Sequence, residues 1–310
     1  MQNTKLNRRT MLAGAATLPA AAAALSAAPA AADGHGAAPN AIKHSFKVGD
    51  MEVATLLSGS AVRDNIQSIF GMNVSPEEFS EVSAANFIPD DRSMFVFTPT
   101  VVKTGDEVVL FDTGLSAKGL LPALKQAGYG PEDITTVVIT HMHGDHIGGM
   151  TDDGKIPTYP NAKYVTGQAE YDAWAKQDNE RFNDKVRPFA EKMSFIGDGA
   201  SVAPGITSMA AFGHTPGHMT YMLESNGAQL VLTADTANHY VWSLAYPDWE
   251  VKFDMDKSAA AATRKAIYGM LAADKIPFVG YHMPFPGVGY VETGGEGMFR
   301  YVPHSYQMLM

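Results

Sequence analysis

The chain has 310 residues, no cysteine and a formal net charge of −10; 45% of it is hydrophobic and only 18% charged. This composition supports a large core and argues against a disordered chain. The acidity argues against a nucleic-acid footprint and against docking on an anionic membrane. Without cysteine there are no disulfides, thiolate nucleophiles or cysteine-based metal sites, so any bound metal must be held by histidines and carboxylates.

In chain order, residues 1–32 carry Lys5, Arg8 and Arg9 and no acidic residue. A mildly apolar, alanine-rich stretch follows from Met11, interrupted by Pro19, and ends at Ala28-Pro29-Ala30-Ala31-Ala32. This is the layout of a signal peptide. Asn7-Arg8-Arg9-Thr10-Met11-Leu12 resembles a twin-arginine signal, which implies the twin-arginine export machinery and a periplasmic or secreted destination. The apolar run is too short and too small-residued for stable membrane insertion. Loss of three of the 23 basic residues would leave 20 against 33 acidic ones, a net of −13.

Residues 33–40 read as a flexible linker, and 41–310 as a single domain. Lys43–Val48 and Met51–Leu57 flank Gly49-Asp50 as a hairpin. Residues 58–94 are mixed and polar, with a helix start at Ser75-Pro76-Glu77-Glu78; they read as an extension or lid over the main fold. Thr98–Lys103 and Glu107–Phe111 form a second hairpin that runs into Asp112-Thr113-Gly114. Leu120, Leu121, Leu124 and Ala127 have helical spacing before Gly128.

Ile134–Ile139 is a β-branched run typical of a strand buried on both faces. Further strands are expected at Ala162–Thr166, Ile206–Phe212, Met219–Glu224, Gln229–Thr233 and Ile276–Gly280. A helix capped by Ser258 is expected to reach Ala273. Strands and helices alternate without a linker-like break, in two β-rich halves.

Chemistry concentrates at strand ends. His141-Met142-His143-Gly144-Asp145-His146 follows the buried strand, with Ile147 expected inward and Gly148-Gly149 permitting a tight turn. His141 and His143 can point together from an extended loop, while Asp145 and His146 lie beyond a bend and can face a neighbouring ion. That suggests two adjacent metals. His214, Asp235 and His282 each follow another apolar strand, so all could emerge on one edge of the fold. Neutral imidazoles with carboxylates suit borderline divalent metals such as zinc.

The pattern His141-x-His143-x-Asp145-His146, then His214, Asp235 and His282, resembles the metallo-β-lactamase superfamily of metallohydrolases. The resemblance implies an α/β fold, an αββα four-layer sandwich. It implies one metal on His141, His143 and His214 and a second on Asp145, His146 and His282, bridged by Asp235 and a hydroxide. Asp145 and Asp235 would orient that hydroxide, and Asp112 would orient the loop histidines. His218 is expected to support the site without ligating, His239 is open between a site and a structural role, and Tyr281 is expected to help position His282. His35, His44 and His304 are expected at the surface.

His143 stands where di-iron flavoproteins of the superfamily carry glutamate, and Asp235 is absent from class B β-lactamases. The tail Phe299–His304 lacks the basic segment of glyoxalase II. Gly280–Gly289 is similar to the last-ligand segment of methyl parathion hydrolase-like enzymes, and Tyr164–Trp174 to a segment that group shares with N-acyl homoserine lactonases. The implied activity is hydrolysis of lactones, aryl esters or organophosphate triesters by two divalent ions, zinc first, with manganese, cobalt or iron as alternatives. A homodimer is compatible with the resemblance. Phe95, Phe97, Trp174 and Phe182 are expected to line an apolar pocket. The competing readings are an oxidoreductase like the mononuclear-iron persulfide dioxygenases and a non-catalytic metal-binding protein.

Overall fold

The computed structural model describes residues 42–152, 155–295 and 297–305; the segments 1–32 and 33–40 lie outside these described residues. The main body contains two seven-stranded sheets. The first runs, across its width, Lys43–Val48, Met51–Leu56, Thr100–Thr104, Glu107–Phe111, Thr136–Ile139, Lys163–Gly167 and Met193–Ile196. Its last four strands are parallel and the rest antiparallel. The second runs Ser201–Ala203, Ile206–Ala210, Met219–Ser225, Ala228–Ala234, Phe278–Gly280, Val288–Thr293 and Phe299–Pro303, with Ala228–Ala234 and Phe278–Gly280 its parallel pair.

The period-two alternation of a strand explains the layering. From Glu107–Phe111, Val109 and Phe111 enter a core between the sheets with Tyr221, Leu223, Leu230 and Leu232. Val108 and Leu110 point the other way, into a core with Leu120 and Leu124 of helix Ala117–Gln126. Val231 faces outward from the second sheet, onto Ile267, Tyr268 and Leu271 of helix Lys257–Asp274. Helix, sheet, sheet, helix is the expected αββα sandwich. Among the described residues no helix is long and apolar enough to cross a membrane.

Most strand boundaries fall within two residues of the sequence reading. The last helix starts earlier than expected, because Asp256 rather than Ser258 caps it and accepts a 2.9 Å hydrogen bond from the Ala259 amide. Ser75 does cap helix Pro76–Ala85. Within 58–94, strand Gly59–Asp64 was not foreseen; it pairs with Arg92–Phe97 as a separate two-stranded sheet. Phe70 and Phe79 from this region, and Phe95 and Phe97 from strand Arg92–Phe97, pack with Val241, Trp242 and Trp249 in a core of their own.

A candidate dinuclear metal centre

All the candidate ligands but His214 follow the carboxyl ends of parallel strands, where ligand sites of layered α/β folds collect; His214 follows the antiparallel strand Ile206–Ala210. Two parallel-strand ends around the site break ordinary backbone geometry. Asp112 sits at φ 62° just after Phe111, and Ala234 at φ 45° just before Asp235. Left-handed backbone at a non-glycine residue costs energy and clusters at functional sites. It coincides at Ala234 with a register shift against Phe278–Gly280. One helical turn, Gly144–Ile147, places Asp145 and His146 beyond the bend after His143.

All seven expected ligand residues come together. The donor atoms of His141, His143, His214 and Asp235 lie within 4.8 Å of one another, and so do those of Asp145, His146, Asp235 and His282. Asp235 belongs to both groups. Within the first, His143 Nδ1 is 3.1 Å from His141 Nε2 and 2.9 Å from His214 Nε2. Within the second, His282 Nε2 is 3.3 Å from Asp145 Oδ2 and 3.2 Å from Asp235 Oδ2, and His146 Nε2 is 3.2 Å from Asp235 Oδ1. Bonds of about 2.0–2.1 Å to a tetrahedral zinc place ligand atoms about 3.3 Å apart, so these spacings fit.

The hydrogen-bond inventory supports the same fit. His141, His146, His214 and His282 each commit Nδ1 away from the centre: to Thr140 Oγ1 at 3.1 Å, Asp112 Oδ2 at 2.8 Å, Asp254 Oδ1 at 2.9 Å and Val96 O at 2.8 Å. Each Nε2 lone pair then faces inward. Buried polar atoms are almost always satisfied, yet His146 Nε2 and Asp235 Oδ1 are buried without a hydrogen-bond partner. Converging acceptors with nothing to accept are what a cation requires.

Charge is divided across the site. Burial, reinforced by neighbouring imidazoles, lowers His141 well below its ordinary value and His143 to about 3. Burial also opposes charge on His146 and His282, but Asp235, Asp112 and Asp145 outweigh it at His146, which rises well above the usual range. Asp235 and Asp145 likewise raise His282 to about 10. Burial disfavours charge on Asp145, but His146 and His282 overcome it and hold that carboxyl at about 2.

Around these groups lies a supporting frame that the sequence reading anticipated only at Asp112, His218 and Tyr281. Asp112 accepts from the Thr140 amide and hydroxyl, each at 2.9 Å, and from His146, so one carboxylate steers both His146 and, through Thr140, His141. His218 donates from Nδ1 to Ala211 O and accepts the Asp235 amide at Nε2, each at 3.1 Å. Glu170 was not singled out by itself. Its buried carboxylate accepts from the Met142 amide, the Gly217 amide and the Thr215 hydroxyl at 2.9, 2.8 and 2.7 Å, which ties two histidine loops together. Asp254 and Arg264, also missed, form a fully buried 2.7 Å pair behind His214. In sequence both carboxylates look like ordinary solvent-facing residues of helix and loop; only the fold buries them.

Other expectations need correction. Gly148 and Gly149 do form the expected tight turn, closed by the Met150 amide donating to Ile147 O at 3.1 Å, but Gly148 has an ordinary φ of −61°, so what requires a glycine there is the close approach of Leu115 O, 2.1 Å from where a Cβ would lie. Tyr281 donates to the Asp145 carbonyl at 2.5 Å and lies 4.0 Å from the His146 ring, so it braces the metal loop besides neighbouring His282. His239 is structural: Nδ1 accepts from the Val241 and Trp242 amides at 3.1 and 3.2 Å. His44 and His304 are half-buried rather than at the surface, their rings 5.5 Å apart. His35 lies outside the described residues.

A cavity of about 290 Å³ opens over the centre, lined by His143, Asp145, Asp235 and His282 below and by Phe95, Phe97, Leu115 and Phe253 at the side. Phe95 and Phe97 meet the pocket expectation. Phe182 does not, being fully buried in the helix-side core, and Trp174 backs His143 edge-on at 5.7 Å instead of lining the cavity.

The family profile described as Metallo-beta-lactamase superfamily matches residues 98–273. An N-acyl homoserine lactonase of Bacillus cereus is 31% identical over 120 residues, 39% of this chain and 45% of that protein. N-acyl homoserine lactonase AttM of Agrobacterium fabrum is 28% identical over 137 residues, 39% of this chain and 48% of that protein. The chain therefore spans less than half the length of these curated relatives. Among solved structures, AidC, described as a dizinc quorum-quenching lactonase in complex with a product, superposes with a TM-score of 0.79 at 26% identity, covering 86% of this chain and 99% of that one. The hydrolase AbOPH superposes at 0.78 with 22% identity over 86% and 98%, which speaks to the fold alone.

Proposed function

This chain belongs to the metallo-beta-lactamase superfamily, and from that premise and the site's geometry we propose that it is a dinuclear-metal hydrolase of lactones and aryl esters, with phosphotriesters as secondary substrates. The observation that carries the reading is the pair of four-donor clusters sharing Asp235 beneath an open cavity. His141, His143 and His214 would hold one cation and Asp145, His146 and His282 the other, with Asp235 between them. Two such cations polarise an electrophilic oxygen and make water acidic enough to attack at neutral pH.

The chain's own residues then set the geometry. The Asp145 side chain is 20% exposed, so its carboxylate can accept a hydrogen bond from the attacking water. Asp235, deeper and held by the Asn238 side-chain amide at 2.8 Å, fixes the floor of the site. The aromatic wall of Phe95, Phe97 and Phe253 seats an apolar acyl or aryl arm and limits its bulk. Water adds its hydroxyl to the carbonyl carbon and its remaining hydrogen to the departing alkoxide, so a lactone opens to a hydroxy acid. The names of the lactonase relatives and the dizinc neighbour support this substrate class. We further propose export by the twin-arginine route to the periplasm or beyond, on the strength of residues 1–32.

The test is turnover by zinc-, manganese- and cobalt-loaded protein on acyl homoserine lactones, dihydrocoumarin-type lactones, aryl esters and methyl parathion. Lactone or ester hydrolysis with two ions bound upholds the reading. No turnover with both ions bound makes the chain a binding protein, and one iron per chain with persulfide oxidation makes it a dioxygenase.

A further inference from the structure

Two arginines line the cavity over the metal centre, and the hydrolytic step assigns neither a task. Arg63 reaches it from strand Gly59–Asp64 and Arg181 from helix Glu180–Lys185. Among the described residues, neither has a carboxylate within ion-pair distance, whereas Arg92, Arg264 and Arg300 do. Arg181 is laid against the metal loop itself. A side chain at Gly144 would meet Arg181 Nη1 at 2.7 Å and Cδ at 2.8 Å. Gly144 needs no special backbone freedom, since its φ is not in the left-handed region, so its missing side chain serves the approach of the guanidinium. Arg181 Nη2 donates to Leu115 O at 3.2 Å, which anchors one side of the fork and leaves other donors free. In a chain of net charge −10, two unpaired guanidiniums at one cavity form a local positive field set against the molecule's own sign.

We propose that Arg63 and Arg181 form an anion seat, and that the preferred substrate is an ester or lactone bearing a carboxylate on the arm that leaves the metal centre. This rests on the hydrolase reading and narrows it. A guanidinium presents paired donors that match a carboxylate, which an ammonium does not. The apolar wall then grips the body of the substrate while the seat fixes its far end, and the ester carbonyl is left over the ligands.

The experiment compares 3-acetoxybenzoate with 3-acetoxybenzamide, which share a leaving geometry and differ in charge, by kcat/KM on the zinc-loaded protein. Calorimetric binding of benzene-1,3-dicarboxylate against benzoate runs beside it and needs no turnover. The wild type is expected to favour the anionic member of each pair by about tenfold at low salt, with the preference shrinking at high salt. Each of Arg63→Gln and Arg181→Gln should lower the preference by about fivefold, and Arg181→Lys should restore part of it. Equal handling of both members by the wild type, or a preference untouched in both glutamine variants, overturns the seat. Turnover of both esters at equal rates with equal binding removes the seat and leaves the hydrolase standing. A tenfold binding preference with no ester turnover keeps the seat and removes the hydrolase.

Discussion

His214 is aimed by Asp254, and Asp254 is held in turn by a guanidinium with no exposure to water. Arg264 spends its other donors on the Pro247 and Trp249 carbonyls at 3.0 and 3.3 Å, so its charge has a single carboxylate to answer it. Burial opposes charge on Asp254, but His214 and Arg264 keep its carboxyl below the usual range. Replacing Asp254 by alanine leaves a buried cation uncompensated and should cost about 3–5 kcal/mol in denaturant unfolding. Asp254→Asn keeps the shape and should weaken metal affinity about 10–100-fold, read by chelator competition. His239 makes a separate, pH-dependent contribution. Burial pushes its imidazole down to about 3, and its Nδ1 must stay unprotonated to accept the two amides. Below about pH 6.5 the unfolded chain takes up a proton here that the folded chain refuses, so stability falls with pH by about 1.4 kcal/mol per unit until the folded value is reached. His239→Asn keeps a capping acceptor and removes the titration. Its stability should fall less steeply than the wild type's between pH 6 and 4 by about that slope, and an unchanged slope would refute the assignment.

At the scale of elements, the site is a set of loops held in register by contacts between them. Glu170, on helix Gln168–Ala175, bridges the 141–146 loop and the 214–218 loop through three accepted hydrogen bonds. Glu170→Ala strands those buried donors at about 1–3 kcal/mol each. The expected result is a lower thermal midpoint together with loss of bound metal, rather than either alone. Gly148→Ala should destabilise by about 1–3 kcal/mol, because the new methyl would press on the Leu115 carbonyl. These elements also show what could be read from the chain beforehand. Strands such as Glu107–Phe111 were legible because burial on both faces makes them continuous apolar runs, and ligands such as His141 because several imidazoles and carboxylates recur at strand ends. The strand Gly59–Asp64 was not legible: its side chains are mostly exposed, so it carries no apolar alternation. Nor were Glu170, Asp254 and Arg264. A charged residue announces its burial only through partners distant in sequence, here 45 residues from Glu170 to Thr215.

Across the whole molecule, the two sheets meet at the proposed metal centre. Each cluster draws on both: His141, His143, Asp145 and His146 follow Thr136–Ile139 of the first sheet, while His214, Asp235 and His282 follow strands of the second. Bound cations would thus tie the halves of the sandwich together, and metal binding becomes part of folding stability. Stripping the protein with a chelator should lower its thermal midpoint, and re-adding zinc should restore it. At ion concentrations a hundredfold above the dissociation constant, linkage gives about 2.7 kcal/mol per site. The most direct measurement of the central claim is calorimetric titration of zinc into metal-stripped protein, with elemental analysis of the product. The account expects two ions per chain in the wild type, fewer than two in His143→Ala, and hydrolysis only where both sites are filled. A single ion per chain at saturation, or a His143→Ala protein with full metal content and full activity, would contradict it.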